Sequence, residues 1–377
     1  MDLYASVNTH DNQKKQKAMK SKNIIILALS IMAILYAINL LTERNNSTFD
    51  NPFVVDDTAS VQRIFMVDKK NNSVDLKRDG NRWVLNGTEK PIEDNVHIIL
   101  KTLLSIEIKN PIAKSAYNNG ITQLATNSVK VEVYQSKYRI NFAGIKLFKH
   151  IEKTHVFYVG GPTADNMGTM MKAEGEDNIY ITYIPGFRGY LTERFKAKRA
   201  DWLSHEVFSY NIMDMKKVSV EFPRKAFESY EIINNGDRSF KLIQLINNQE
   251  VTNFDTLRVL EELAAFTLIN YELLLDNMTE ETLDSIQQTL PVRIVTVETK
   301  LGTKRKLRMY YRPNFDNKED MNGKLFEHDV DRLYGFIDNN KEPVTVQYFV
   351  IDNISRPLSF LVKAENTLPL NQENTKP

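Results

Sequence analysis

Ile24 to Leu41 form one apolar run, IIILALSIMAILYAINLL, that carries no charge and has Ser30 and Asn39 as its only clearly polar members. As a helix it would be roughly 27 Å long, close to the hydrocarbon thickness of a bilayer. The run is apolar on every side, which does not suit a helix lying on a soluble core. Lys14, Lys15, Lys17, Lys20 and Lys22 precede it, and Arg44 stands beside Glu43 and Asp50 after it. That asymmetry predicts a basic cytoplasmic segment over 1–23, a transmembrane helix over 24–41 and the rest of the chain across the membrane. A cleaved signal peptide is the competing reading. The length of the run and the lack of a small-x-small pair at its end weigh against it.

Two further features narrow the function. The 377 residues hold 49 basic and 48 acidic side chains, so nothing draws the whole chain to nucleic acid, and any electrostatic role must be local. No cysteine is present, which removes disulfides, thiol catalysis, cysteine zinc sites and a lipoprotein anchor. The polar stretch 42–59 with Pro52 reads as a linker and 366–377 as a disordered tail.

Between these lies an internal repeat. In the first copy Val61–Val67 and Val74–Lys77 read as strands, and Gly80-Asn81-Arg82-Trp83 as a turn into a third. A helix with Ile92, Val96, Ile99, Leu100, Leu103 and Leu104 inward comes next, with Pro91, Glu93 and Asp94 in its first turn. Ile106 and Ile108 mark a strand, Ile121 and Leu124 a short helix, and Val129, Val131 and Val133 the clearest strand of the chain. The second copy runs Val218 and Val220, the turn Gly236-Asp237-Arg238-Ser239-Phe240, then a helix capped by Thr252 or Asn253 and carrying Leu257, Leu260, Leu263 and Ala264. Leu273 and Leu275, a helix capped by Thr279 with Leu283 and Ile286 inward, and a strand through Val292, Ile294 and Val297 complete it. The expected fold class is α+β: one N-terminal transmembrane helix followed by two tandem similar modules, 60–203 and 204–365, each with a mainly antiparallel sheet and packed helices.

The copies differ where function is expected. Only the first has Gly160-Gly161-Pro162-Thr163 and, after the next strand, Pro185-Gly186-Phe187-Arg188-Gly189-Tyr190. The glycines and Asp165 or Asn166 suit ordinary turns. The functional alternative is a pair of neighbouring loops that offer Phe187, Arg188 and Tyr190 to a partner. The basic residues Arg194, Lys196, Lys198 and Arg199 follow, with Trp202 after them, as either a solvated face or a docking patch for acidic groups. A second basic cluster is Lys304, Arg305, Lys306 and Arg308.

Catalytic and cofactor patterns are missing. Neither a phosphate-binding Gly-Lys-Ser/Thr loop nor a Gly-x-Ser-x-Gly elbow occurs. The six histidines include no pair at helical ligand spacing, so no metal, cofactor or catalytic residue is expected. Asp316, Asp320, Asn322 and Gly323 miss a calcium-loop register and read as a polar hairpin.

The segments VFYVGGPTADNMGTMM and YIPGFRGYLTERF, with Asp201-Trp202, resemble a family of membrane-anchored envelope proteins of Bacteroidetes classed as a domain of unknown function. The resemblance spans Ile24 to about Phe360 and is densest over Phe157 to Trp202. By gene context that family is associated with auxiliary subunits of gliding-motility-type ABC transporters. The resemblance therefore implies an accessory role in an inner-membrane complex with a periplasmic domain, and brings no catalytic residues. The expectation is a non-catalytic interaction subunit with an envelope protein as partner, using Gly160, Gly161, Pro162, Thr163, Phe187, Arg188, Tyr190, Arg194, Lys198 and Arg199. The alternative is a periplasmic glycan-binding module or glycan-acting enzyme with a site between the two modules.

Overall fold

The computed structural model describes residues 22–37, 51–142, 145–339 and 342–363. Residues 22–37 form a helix, α1, in which Ile24, Ile25, Ile26, Leu27 and Ile31 are all exposed. No helix of the described residues is long and apolar enough to cross a membrane. The described part of α1 is about 24 Å long, short of the roughly 30 Å of a hydrocarbon core. The end of the expected span at 38–41, most of the basic segment 1–23, the first part of the linker and the tail 366–377 lie outside the described residues.

The chain divides into two compact units, Met1–Leu203 and Ser204–Pro377. Both mix helices with a mainly antiparallel sheet, so the α+β class holds. In the first unit the elements run β1 (Val61–Val67), β2 (Ser73–Asp79), β3 (Arg82–Leu85), α2 (Glu93–Ser105), β4 (Glu107–Pro111), α3 (Tyr117–Asn127), β5 (Val129–Phe142), β6 (Ile145–Pro162), β7 (Thr169–Ala173) and β8 (Tyr180–Tyr183). They build an eight-stranded sheet of order β3-β2-β1-β5-β6-β7-β8-β4. Every pairing in it is antiparallel.

Alternation explains the core. Ile64 and Met66 of β1, Val131 and Val133 of β5, and Phe157 and Val159 of β6 point to one face and are fully buried. Val96, Ile99 and Leu103 of α2, spaced three and four apart, belong to the same cluster. Phe53 and Val55 are also fully buried there, and Phe53 meets Phe157 edge to face at 5.7 Å. The expected linker 42–59 is therefore corrected: by Phe53 the chain is already part of the core. Leu104, expected inward on α2, is exposed instead, because the buried stripe runs through Val96, Ile99, Thr102 and Leu103.

The second unit runs β9 (Glu206–Phe208), β10 (Met215–Glu221), β11 (Tyr230–Asn234), β12 (Phe240–Gln244), β13 (Gln249–Glu250), α4 (Thr256–Ala264), β14 (Ile269–Asn270), β15 (Leu273–Leu274) and α5 (Glu280–Gln288). It continues β16 (Arg293–Thr299), β17 (Lys304–Pro313), β18 (His328–Ile337), β19 (Val344–Gln347), α6 (Tyr348–Ile351) and α7 (Leu358–Leu361). Its main sheet has the order β13-β12-β11-β10-β16-β17-β18-β19-β15. With β13 set aside, this is the order of the first sheet, strand for strand. β9 and β14 make a separate two-stranded pair.

Two helix starts in this unit show how local chemistry sets register. Thr279 caps α5 by accepting a hydrogen bond from the Thr282 N–H, as its sequence suggested. α4 is capped by Asp255, which accepts from the Leu257 and Arg258 N–H groups, and not by Thr252 or Asn253. The later start turns Val259, Glu262 and Leu263 inward and leaves Leu257 71% exposed.

Candidate functional site

The residues singled out around 160 and 190 fall into two groups with different roles. Gly160 closes on its neighbours. A Cβ there would lie 2.7 Å from Leu124 Cδ2 and 3.0 Å from the Met170 carbonyl oxygen, so only glycine lets α3 and β7 approach β6. The Gly160 carbonyl also accepts from the Thr192 hydroxyl at 2.8 Å. A Cβ on Gly161 would meet open space. Pro162 pairs with Thr169 at the end of β6. Thr163 donates its N–H to the Gly168 carbonyl and its hydroxyl to Asp165. That hydroxyl holds the Asp165 carboxyl below its ordinary pKa. The Gly-Gly-Pro-Thr loop is thus a hairpin that satisfies its own polar groups.

Phe187 and Arg194 are brought together. The Phe187 N–H bonds the Ile184 carbonyl at 3.0 Å, and Gly186 sits at φ +79°, so Pro185-Gly186 makes a tight turn that glycine at its third position permits. The turn offers Phe187 to solvent, 39% exposed. The Arg194 guanidinium stacks over its ring at 4.4 Å from the centroid. Arg194 also donates from Nη1 to the Thr102 hydroxyl of α2 at 2.9 Å. Thr102, fully buried, donates its own hydroxyl to the Ile98 carbonyl at 2.7 Å.

Phe187, Arg194 and Ile98 line a groove of about 660 Å³. α2 supplies one wall with Asn95, Ile98, Lys101 and Ser105, and the turn 184–187 supplies the other. Glu193, Arg194, Lys196, Asp201 and Trp202 complete it. The segment after β8 is held to α2 by Asn95, whose side-chain amide donates to the Asp201 carbonyl at 2.9 Å. The Ile92 N–H bonds the Trp202 carbonyl at 2.7 Å, and the nearly buried Trp202 indole donates to the Lys196 carbonyl at 2.8 Å.

The charges in the groove do not cancel evenly. Lys196 reaches Glu193 at 3.1 Å and Asp201 at 3.7 Å, and the hydrogen bond it donates to Glu193 raises its pKa. Among the described residues no carboxylate lies within ion-pair distance of Arg194, and burial pushes its guanidinium pKa down. Arginine stays ionised regardless, so the groove keeps a partly buried cation with no carboxylate of the described residues at ion-pair distance. The second unit makes the contrast. Arg356, which like Arg194 follows the last strand of its sheet, stacks over Phe360 at 4.7 Å and pairs with Glu261 of α4 at 3.4 Å. Its backbone N–H bonds the buried carboxylate of Glu262 at 3.3 Å. Where the second unit has acids on this helix, the first has Thr102.

The other expected residues stand apart. Arg199 is engaged by Glu89, with Nε at 2.8 and 2.9 Å from its two oxygens. Lys198 and Arg188 are exposed and Tyr190 is partly buried; none of the three lines the groove. The Lys304–Arg308 cluster is bound up locally: Lys304 pairs with Glu298 at 3.3 Å and Arg308 donates to the Asp338 carbonyl at 2.8 Å. Asp320 accepts from the Asn322 and Lys324 N–H groups in a plain hairpin loop. No group of three metal-ligating side chains occurs among the described residues. The groove brings the Arg194 guanidinium, the Phe187 ring and apolar Ile98 and Ile184 together, beside Glu193, Lys196 and Asp201. Sequence reasoning missed Thr102 and Ile98, which lie some ninety residues from Arg194; Thr102 falls on the inward stripe of α2, and exposed Ile98 has no local sign.

Comparison of the chain with protein-family models, curated proteins and solved structures finds no match.

Proposed function

We propose that this chain is a non-catalytic interaction subunit of an envelope complex, held at the inner membrane by its N-terminal apolar segment. It takes an acidic segment of a partner protein into the groove between α2 and the Pro185-Gly186-Phe187 turn. The observation that carries the reading is Arg194, partly buried, stacked on an exposed aromatic and without a carboxylate of its own. Leaving such a charge without a counterion is unfavourable, and a partner carboxylate would remove that cost while Phe187 supplies an aromatic anchor. The anchor reading rests on the length and charge flanks of 24–41 and on the exposed apolar surface of α1. The shared strand order of the two sheets supports a chain built from two tandem copies of one module, of which the first has no acid at ion-pair distance from its arginine among the described residues. A transporter-type complex is the setting that the sequence resemblance implies.

The test is mild detergent extraction and affinity purification of the tagged full chain beside its Arg194→Gln variant. The reading predicts that an envelope protein recovered in stoichiometric amount with the wild-type chain is lost with the variant, while the unfolding midpoint is unchanged. Truncating one member of a desolvated charge pair costs about 2 kcal/mol or more, roughly thirtyfold in affinity. Equal recovery with both chains would refute the groove as the docking site.

A further inference from the structure

β5 and β6 are longer than the sheet that holds them. β1 pairs with β5 only as far as Gln135, and β7 pairs with β6 only from Phe157 on. Residues 136–142 pair with 145–151 and, among the described residues, with no third strand, making a ribbon about 24 Å long. Its root is fixed. The Gln135 side-chain amide donates to the Asp57 carbonyl at 3.1 Å and the Ser60 hydroxyl at 2.8 Å, and its carbonyl accepts from Thr154 at 2.7 Å.

The ribbon has two chemistries. By the pairing of Ser136 with Ile151, Tyr138 with Lys149 and Ile140 with Leu147, one face is mostly apolar. By the pairing of Lys137 with His150 and Asn141 with Lys146, the other carries cations, with Arg139 between them. Leu147, Ile145 and Ile151 of the apolar face are exposed, Ile151 by 63%; Phe148, whose place in the alternation is on the cationic side and whose φ is +58°, is exposed by 69%, and Lys146 reaches over the Tyr138 ring at 5.7 Å. Of the charged residues in 136–152, Lys137, Arg139, Lys146 and Lys149 are basic and Glu152 alone is acidic. None of the four cations has a carboxylate within ion-pair distance among the described residues.

We propose that this ribbon docks on an anionic lipid surface, its apolar side chains entering the boundary between headgroups and acyl chains and its lysines reaching the phosphates. A two-stranded ribbon is marginal in water by itself, and one with exposed isoleucine, leucine and phenylalanine calls for a third surface. A second copy of the ribbon is a poor match, because four cations without carboxylate partners would meet four. A protein partner would have to satisfy an apolar face and a basic face on opposite sides of one narrow ribbon. A bilayer interface satisfies both, since long basic stems bend back to the headgroups while the apolar side sinks. α1, exposed and apolar on every side, is an independent sign that this chain meets hydrocarbon. The proposal uses no part of the groove.

The chain has no cysteine, so Leu147→Cys in the full chain can carry a single environment-sensitive fluorophore, with Leu301→Cys in a fully exposed turn as control. Vesicles of phosphatidylcholine are compared with vesicles containing roughly one-third phosphatidylglycerol. The label at 147 should shift to the blue and be quenched by brominated lipid with the anionic vesicles, while the label at 301 stays aqueous. Replacing Lys137, Arg139, Lys146 and Lys149 by Gln should abolish the shift, each removed cation weakening the interaction about fivefold. A label at 147 that stays as aqueous as the control with both vesicles overturns the proposal. So does a shift that is equal in neutral vesicles and in the glutamine variant. A label that stays aqueous with vesicles but cross-links to an acidic protein in native membranes would assign the ribbon to that protein and overturn the lipid reading.

Discussion

Replacing Glu262 with glutamine should flatten the pH dependence of stability in the second unit. Glu262 lies on α4, fully buried. One carboxylate oxygen accepts from the Tyr230 hydroxyl at 2.7 Å and from the Arg356 N–H at 3.3 Å, and the other has no hydrogen-bond partner. Burial raises its pKa from the ordinary 4.5 to about 7, against the opposing pull of Tyr230 and Arg356. The folded unit therefore holds a proton that the unfolded chain releases between those two values. Stability from this group is complete below pH 4.5, falls as pH rises and is lost above about pH 7. The rise corresponds to about 3 kcal/mol. Glutamine keeps an acceptor for Tyr230 and cannot ionise. Thermal unfolding followed by near-ultraviolet circular dichroism from pH 5 to pH 8.5 should show the wild-type second transition falling across that range. The E262Q transition should move much less, leaving the variant the more stable protein at the alkaline end. Parallel wild-type and variant curves would refute the reasoning and place the proton elsewhere.

Other substitutions separate structural glycines from exposed anchors. Gly160→Ala should destabilise the first unit by about 1–3 kcal/mol, because its methyl group meets Leu124 and the Met170 carbonyl, whereas Gly161→Ala should be neutral; denaturant midpoints compare the two. Gly186→Ala should cost about 1 kcal/mol through its positive φ and should weaken partner recovery by displacing Phe187. Phe187 and Tyr190 replaced together by alanine should leave a cooperative unfolding transition while partner binding falls; loss of cooperativity would assign both rings to the core.

Much of the sheet was legible because its residues alternate. The Val129-Val131-Val133 pattern marks β5, and Gly80 and Gly236 mark the hairpins that precede β3 and β12. The chain order of strands and helices in each half was readable for the same reason. The order of strands within a sheet was not, since β4 joins β8 across some seventy residues and no local pattern encodes that pairing. The α4 register was misread because Thr252, Asn253 and Asp255 are all capable caps, and only packing against Tyr230 selects the start that buries Glu262. The ribbon had a signal that went unread: Lys137, Tyr138, Arg139 and Ile140 continue the alternation of β5 past the point where the sheet ends. In the groove, Pro185-Gly186-Phe187 announced an exposed aromatic turn, and the basic run announced a cation nearby. Which of four basic residues faces that ring was settled by tertiary partners: Glu89 takes Arg199 and Thr102 takes Arg194.

The central claim is that the groove of the first unit holds an acidic segment of another protein. A photo-reactive amino acid at Ile98, an exposed position on the α2 wall, tests it directly in native membranes. The account predicts one discrete protein adduct, mapped to an acidic stretch of the partner and lost when Arg194 is also replaced by glutamine. No protein adduct at Ile98, or one that persists unchanged in the double variant, would contradict it.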